Sequence, residues 1–196
     1  DFGRNVNQTV TITNAADRWS DPDAKIMDNL ESWLNTMYLA DQGGTGSVLL
    51  VGAQVAPYFK KNKQILDLLD TNIRGGENVK IDRGILRTEQ PYKTLGYLDS
   101  GLEVATYRDQ IENANGTMVD IFDPRDILLI APGATGVDAH GAIQDDEAAL
   151  AGVTSTDIFP KMWSEKDPGA TFVMHQSAPL PIPLYPNRTF KARVIA

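Results

Sequence analysis

A chain of 196 residues, 42% of them hydrophobic, can bury a sizeable core as one large domain or two small ones. It has no cysteine, which excludes disulfides, thiolate nucleophiles, zinc-thiolate sites and iron-sulfur clusters. A net charge of -8 argues against a nucleic-acid groove, which needs clustered Lys and Arg, and neither a signal peptide nor a run of about eighteen apolar residues is present.

In chain order, Val6, Thr9, Val10, Thr11, Ile12 and Thr13 give Phe2–Thr13 the period of two of a long, edge-like strand. A helix of about five turns follows over Pro22–Ala40, with Asp21 as N-cap, Pro22 at its first position, and Ile26, Met27, Leu30, Leu34, Met37 and Tyr38 on one face. Gly43 and Gly44 end it. Ser47–Gly52 is short and apolar enough to be a buried strand, and Pro57 opens a second helix, running to about Leu69, with a basic stripe of Lys60, Lys61 and Lys63. Thr71–Tyr97 reads as loops or short strands around islands such as Ile81, Ile85 and Leu86.

Leu102–Asp109, Asn113–Gly116 and Thr117–Phe122 read as strand, turn and strand of a hairpin, because Val104, Thr106, Val119 and Ile121 alternate about an Asn-Gly turn. Asp123-Pro124-Arg125-Asp126 turns the chain into an apolar strand, Ile127–Ile130, that Gly133 and Gly136 end. Asp145, Asp146 and Glu147 form the acidic first turn of a short helix. At the end of the chain, Thr171–Gln176 and Thr189–Ile195 read as strands. Between them Pro179, Pro181, Pro183 and Pro186 fix φ and remove donors, giving an extended, stiff connector.

Four constellations could carry chemistry. The Gly43–Ser47 run, GGTGS, follows a helix and precedes a strand, the reverse of a dinucleotide fingerprint, and reads as a helix-ending linker. Asp138, His140, Asp145, Asp146 and Glu147 are close in sequence but match neither HExxH nor the DxDxDG calcium loop. His140 and His175 are the only histidines and no GxSxG elbow accompanies them, so His175 reads as a strand residue. Basic and aromatic residues interleave thinly, at Tyr58–Lys61 and Arg188–Arg193, below what a single-strand groove needs. The three N-x-Thr sequons, at Asn7, Asn115 and Asn187, read as chance matches, and a cytosolic setting fits best.

Several motifs follow one another in order along nearly the whole chain: Asp1-Phe2-Gly3-Arg4, TVTIT, WSDPD from Trp19, VLLVGAQVAPYF, the hairpin, VDIFDPRDILLIAPG, PKMW, KDPGA and HQSAPLPIPLYPN. In that order they resemble the lambda-like bacteriophage major capsid protein family (major capsid protein E). The resemblance implies an α+β fold of the Hong Kong 97 phage type, with a peripheral domain on a long spine helix and an axial domain around a small sheet. Residues 1–46 would start the peripheral domain, with Pro22–Ala40 as spine helix, 47–159 would form the axial domain, and 160–196 would return strands to the peripheral domain. It further implies a structural subunit of an icosahedral head shell, not an enzyme, with no catalytic, cofactor-binding or metal residue and no cofactor. Its partners would be copies of itself in pentamers and hexamers, with scaffold, decoration and portal proteins, no membrane, and packaged DNA only through weak non-specific contact. Its location would be the virion, and the host cytoplasm during assembly. The alternative is a metal-dependent hydrolase using Asp138, His140 and Asp145.

The chain opens on Asp1 and reads as a fragment or processed product without the family's amino-terminal arm and extended loop, which bridge subunits. That predicts a monomer or small oligomer at micromolar concentration. Particles tens of nanometres across in light scattering of this chain alone would contradict it.

Overall fold

A computed structural model of the chain describes residues 3–73, 80–81, 91–98, 101–153, 156–167 and 169–196. Contacts divide it into two compact units, one of residues 3–134 with 185–196 and one of residues 135–184.

The first unit is a seven-stranded mixed sheet with three helices. Its strands are β1 (Thr9–Thr11), β2 (Val48–Gly52), β3 (Lys80–Ile81), β4 (Tyr92–Tyr97), β5 (Glu103–Tyr107), β8 (Asp126–Ile130) and β13 (Thr189–Arg193), in the order β1-β13-β8-β2-β5-β4-β3. A separate small hairpin joins β6 (Gln110–Glu112) to β7 (Met118–Asp120). Register places Phe190 opposite Leu129 and Ala192 opposite Ile127, and the same two β8 residues face Leu49 and Val51 across the other edge. Because side chains alternate along a strand, these residues share one face with Val104, and all are buried.

Onto the core pack α1 (Ile26–Leu39), α2 (Ala56–Lys61) and α3 (Lys63–Ile73). Ile26, Leu30, Trp33 and Met37 of α1 are buried at helical spacing. Trp33 stacks on Trp19 at 5.8 Å and on Phe190 of β13 at 5.5 Å, while Trp19 meets Phe59 of α2 at 6.0 Å. These four rings run through the core as a column, and such pairs add to the area they bury.

Several expected boundaries move, each for a local reason. The first strand shrinks to Thr9–Thr11, still at a sheet edge, because the Asn5 side chain accepts the Asn7 N–H and closes a 3₁₀ turn over Val6–Gln8. The helix starts at Ile26, not Pro22: the Asp21 carboxylate accepts the Asp23 N–H in a preceding turn, and buried Asn62 donates to the carbonyls of Pro22 and Ala24. Its face includes Trp33, whereas Tyr38 is exposed. Asn62 also splits the expected second helix, since its backbone is extended and its side chain accepts the Gln64 N–H, which begins α3. Leu102–Asp109 does not pair with Thr117–Phe122. Its β5 runs parallel to β2 and antiparallel to β4, and the Asn113–Gly116 turn closes β6 on β7 instead. Ile85 and Leu86 lie outside the described residues.

One sheet draws strands from residues 1–46, 47–159 and 160–196, since β1 and β13 pair in it with β2, β5 and β8. The compact units divide after residues 134 and 184.

The second unit has another construction. Strands β9 (Gly136–His140) and β12 (Pro179–Pro183) form one antiparallel ribbon, β10 (Phe159–Lys166) and β11 (Gly169–Gln176) another, and α4 (Asp146–Leu150) is capped by Asp145, which accepts the Glu147 N–H. Gly136 therefore begins a strand rather than ending one. The proline connector is extended, as its φ restriction requires, yet it is a paired strand. Leu180 and Ile182 stand opposite Ala139 and Val137, and the ladder continues with Gly141 N–H to Ala178 O at 2.8 Å and Leu184 N–H to Thr135 O at 3.0 Å. Backbone groups alternate sides along a strand, so Pro179, Pro181 and Pro183 all fall on the outer edge, which has no donor. Among the described residues of this unit only Ile143 and Ala148 are buried apolar side chains.

Leu30 is 1% exposed whereas Leu34 is partly buried against the core. Leu30→Ala should therefore cost about 2–5 kcal/mol in urea unfolding, and Leu34→Ala should cost less. An equal or larger loss at Leu34 would contradict the orientation of α1.

Candidate functional site

Of the residues singled out for hydrolytic chemistry, His140 and Asp145 are engaged by different partners. His140 on β9 lies 3.3 Å through Nε2 from the Asp157 carboxylate. Asp145 caps α4 and accepts two hydrogen bonds from the Lys161 ammonium, at 3.2 and 3.0 Å, and Lys161 also lies 3.5 Å from Glu147. Asp138 is exposed on β9, two residues before His140, and His175 is exposed on β11. Among the described residues no group of three or more His, Asp or Glu side chains is placed to hold a metal ion, and no helix is long and apolar enough to cross a membrane. The GGTGS run connects α1 to β2, and a Cβ at Gly43 would collide with the Met37 carbonyl, so its glycines serve close packing. Of the interleaved aromatics, Phe59 and Phe190 are both core residues, which leaves no row of stacking platforms.

What the fold does assemble is a charge cluster at one end of β8 and β13. Asp126 is fully buried and accepts from Arg193 Nε at 2.8 Å and from Lys191 Nζ at 2.9 Å. Asp123 pairs with Arg125 at 3.1 Å and with Arg193. A buried carboxylate is tolerable only with such partners. The sequence reading missed this cluster, although the signal was there: Lys191 and Arg193 are spaced by two on a strand whose register brings Arg193 opposite Asp126. An open groove beside it is lined by Gln54, Val119, Ile121, Arg125 and Lys191 among others, with no convergent catalytic set.

The larger feature is exposed apolar surface on extended ribbons. In the first unit the β6–β7 hairpin presents Ile111, Met118, Val119 and Ile121. In the second, Val137, Leu180 and Ile182 are exposed on β9 and β12, and Met162, Trp163, Phe172 and Val173 on β10 and β11, where Trp163 and Phe172 stack at 5.3 Å. Apolar area on this scale marks a contact surface, in contrast to single exposed leucines. Sequence reasoning took Thr171–Gln176 only as a strand. The signal it passed over is that apolar residues fall on both faces of the 160–176 ribbon.

Comparison with known proteins gives one consistent result. The model of the family described as phage major capsid protein E matches residues 1–194. The major capsid protein of Escherichia phage lambda is 26% identical over 183 residues, which is 92% of this chain and 51% of that protein. The major capsid protein of Escherichia phage N15 is 27% identical over 184 residues, with the same coverage. The chain thus spans about half the length of the curated relatives it matches. A crystal structure assigned to a prophage capsid protein of Escherichia coli CFT073 superposes with a TM-score of 0.74 at 21% identity, over 100% of this chain and 55% of that one, and shares the mixed α+β fold.

The charge cluster predicts an acid dependence. The Arg125 guanidinium holds the Asp123 carboxyl below its ordinary value of 3.8; partial burial opposes this, and the Arg125 N–H and the Arg193 charge add to it. A depressed folded-state pKa contributes stability that is fully present above the unfolded value and lost as pH falls through the folded one. Urea midpoints followed from neutral pH to below 3.8 should therefore fall less steeply at the acid end in Asp123→Asn. Identical acid limbs would contradict the role given to Asp123.

Proposed function

Because this chain belongs to the phage major capsid protein E family, we propose that it is the shell-building part of a major capsid subunit, a structural element of a tailed-phage or prophage head and not an enzyme. The match of one family model along residues 1–194 carries this reading. The physical arrangement supports it: shell subunits need broad complementary surfaces more than a pocket, and the exposed apolar side chains here lie on extended ribbons.

The finer reading is a Hong Kong 97 phage-type subunit located in the virion, repeated in pentamers and hexamers and assembled in the host cytoplasm. Scaffold, decoration and portal proteins are further proposed partners. In this reading α1 is the spine helix, supported by its packing beside β13, which pairs with β1. The peripheral parts, 1–46 and 160–196, and the axial part, 47–159, are then roles within the shell and not separate folding units, since one sheet spans them. Closed rings of identical subunits follow from a repeated head-to-tail contact whose rotation closes.

Electron microscopy tests the reading on a polypeptide of the relatives' full length that carries this chain. Closed particles tens of nanometres across are expected. A soluble, folded protein that forms no closed particle under any assembly condition, or reproducible metal-dependent turnover lost in His140→Ala, would overturn it.

A further inference from the structure

The β10–β11 ribbon is long and thinly supported. Among the described residues its strands pair only with each other, eight residues on each side, and a lone two-stranded hairpin is marginal in water. Its two faces differ. One carries Phe159, Lys161 and Trp163 with Phe172, Met174 and Gln176, and is partly held through the Trp163–Phe172 stack and the Lys161–Asp145 pair. The other carries Pro160, Met162, Ser164 and Lys166 with Gly169, Thr171, Val173 and His175, every one of them exposed. At its centre Met162 and Val173 stand directly opposite each other, 71% and 64% exposed.

We propose that this Met162–Val173 face is a docking surface for a second copy of the same chain, an inference that rests on the shell reading above and adds the surface through which copies meet. Charge favours that occupant. The chain carries a net charge of -8, so copies repel in general, yet this face has no acidic residue, and its one lysine, Lys166, lies at the hairpin end two pairs from the central Met162–Val173 pair, so copies meeting there bring no carboxylates together. Size favours it too. Eight residues at about 3.3 Å rise on two strands about 4.8 Å apart give a face of a few hundred Å², below the roughly 800 Å² per partner of a standard stable interface. A contact of that size does not hold a lone dimer. It suits a subunit whose weak contacts are repeated and act together once a ring or shell closes.

The absence of cysteine allows a direct test. Met162→Cys carries a benzophenone label at one defined position, and Glu31→Cys on the exposed face of α1 serves as the collision control. Each is irradiated at about 1 mM, where contacts of millimolar affinity are half formed, and adducts are mapped by mass spectrometry. The expected result is an inter-chain yield several-fold higher from position 162 than from position 31, falling several-fold in Val173→Glu, whose circular dichroism melt should match the parent's because the site is exposed. Equal yields from the two positions, adducts only within one chain, or no effect of Val173→Glu overturns the proposal. The shell reading is scored separately by microscopy. Shells that persist in a full-length Met162→Glu, Val173→Glu variant sink the ribbon contact and leave that reading standing, whereas specific 162 cross-links without shells from the unaltered protein retain the contact and sink the shell.

Discussion

Trp33 is the point on which the first unit depends. Its ring lies between Trp19 and Phe190, so one side chain of α1 fastens the segment before the helix to a strand contributed by the last residues of the chain. Phe59 extends the column to α2. Contacts between residues so distant in sequence repay their loop-closure cost only when several form together. Here they are reinforced by the parallel pairing of β1 with β13 and by the Asn62 side chain, which ties the turn at Pro22–Ala24 to the start of α3. The buried Asp126 lies at the end of the same β8–β13 pair, where strand register delivers Arg193 and Lys191 to it.

Residues 135–184 are held together differently. With few buried apolar side chains, they rely on two antiparallel ladders, the Lys161–Asp145 pair and the α4 cap. The spacing of the prolines protects one of those ladders. At every second position they leave Leu180 and Ile182 free to pair with β9 while stripping donors from the outer edge, which blocks unwanted strand addition there. The β10–β11 ribbon has no such protection on its Met162–Val173 face.

The sequence made legible those elements whose signal is local. The apolar run of β2 and β8, the acidic first turn of α4 and the extended proline segment were all readable from periodicity and residue chemistry. What was misread depends on partners far along the chain. Asn62 looks like an ordinary helix residue until its two carbonyl acceptors at Pro22 and Ala24 are known. Val104 and Thr106 alternate as a hairpin arm would, but their strand is central, flanked by β2 and β4. Tyr38 satisfied the helical spacing, yet Trp33 took the buried position because its ring fits between two other aromatics. The hydrolytic trio of Asp138, His140 and Asp145 looked close only in sequence, since His140 meets Asp157 and Asp145 meets Lys161. Family membership came from the order of motifs, none of which is distinctive alone.

Residues 3–134 with 185–196 are stabilised by their own core, whereas the proposed docking completes the β10–β11 ribbon only on assembly. Amide hydrogen exchange on the free and the assembled protein tests it most directly, because exchange reads local opening segment by segment. Strands β2, β8 and β13 should be strongly protected in both states, while amides of Phe159–Lys166 and Gly169–Gln176 should exchange fast in the free chain and gain protection on assembly. Ribbon amides as protected as those of β8 in the free chain, or unchanged on assembly, would contradict it.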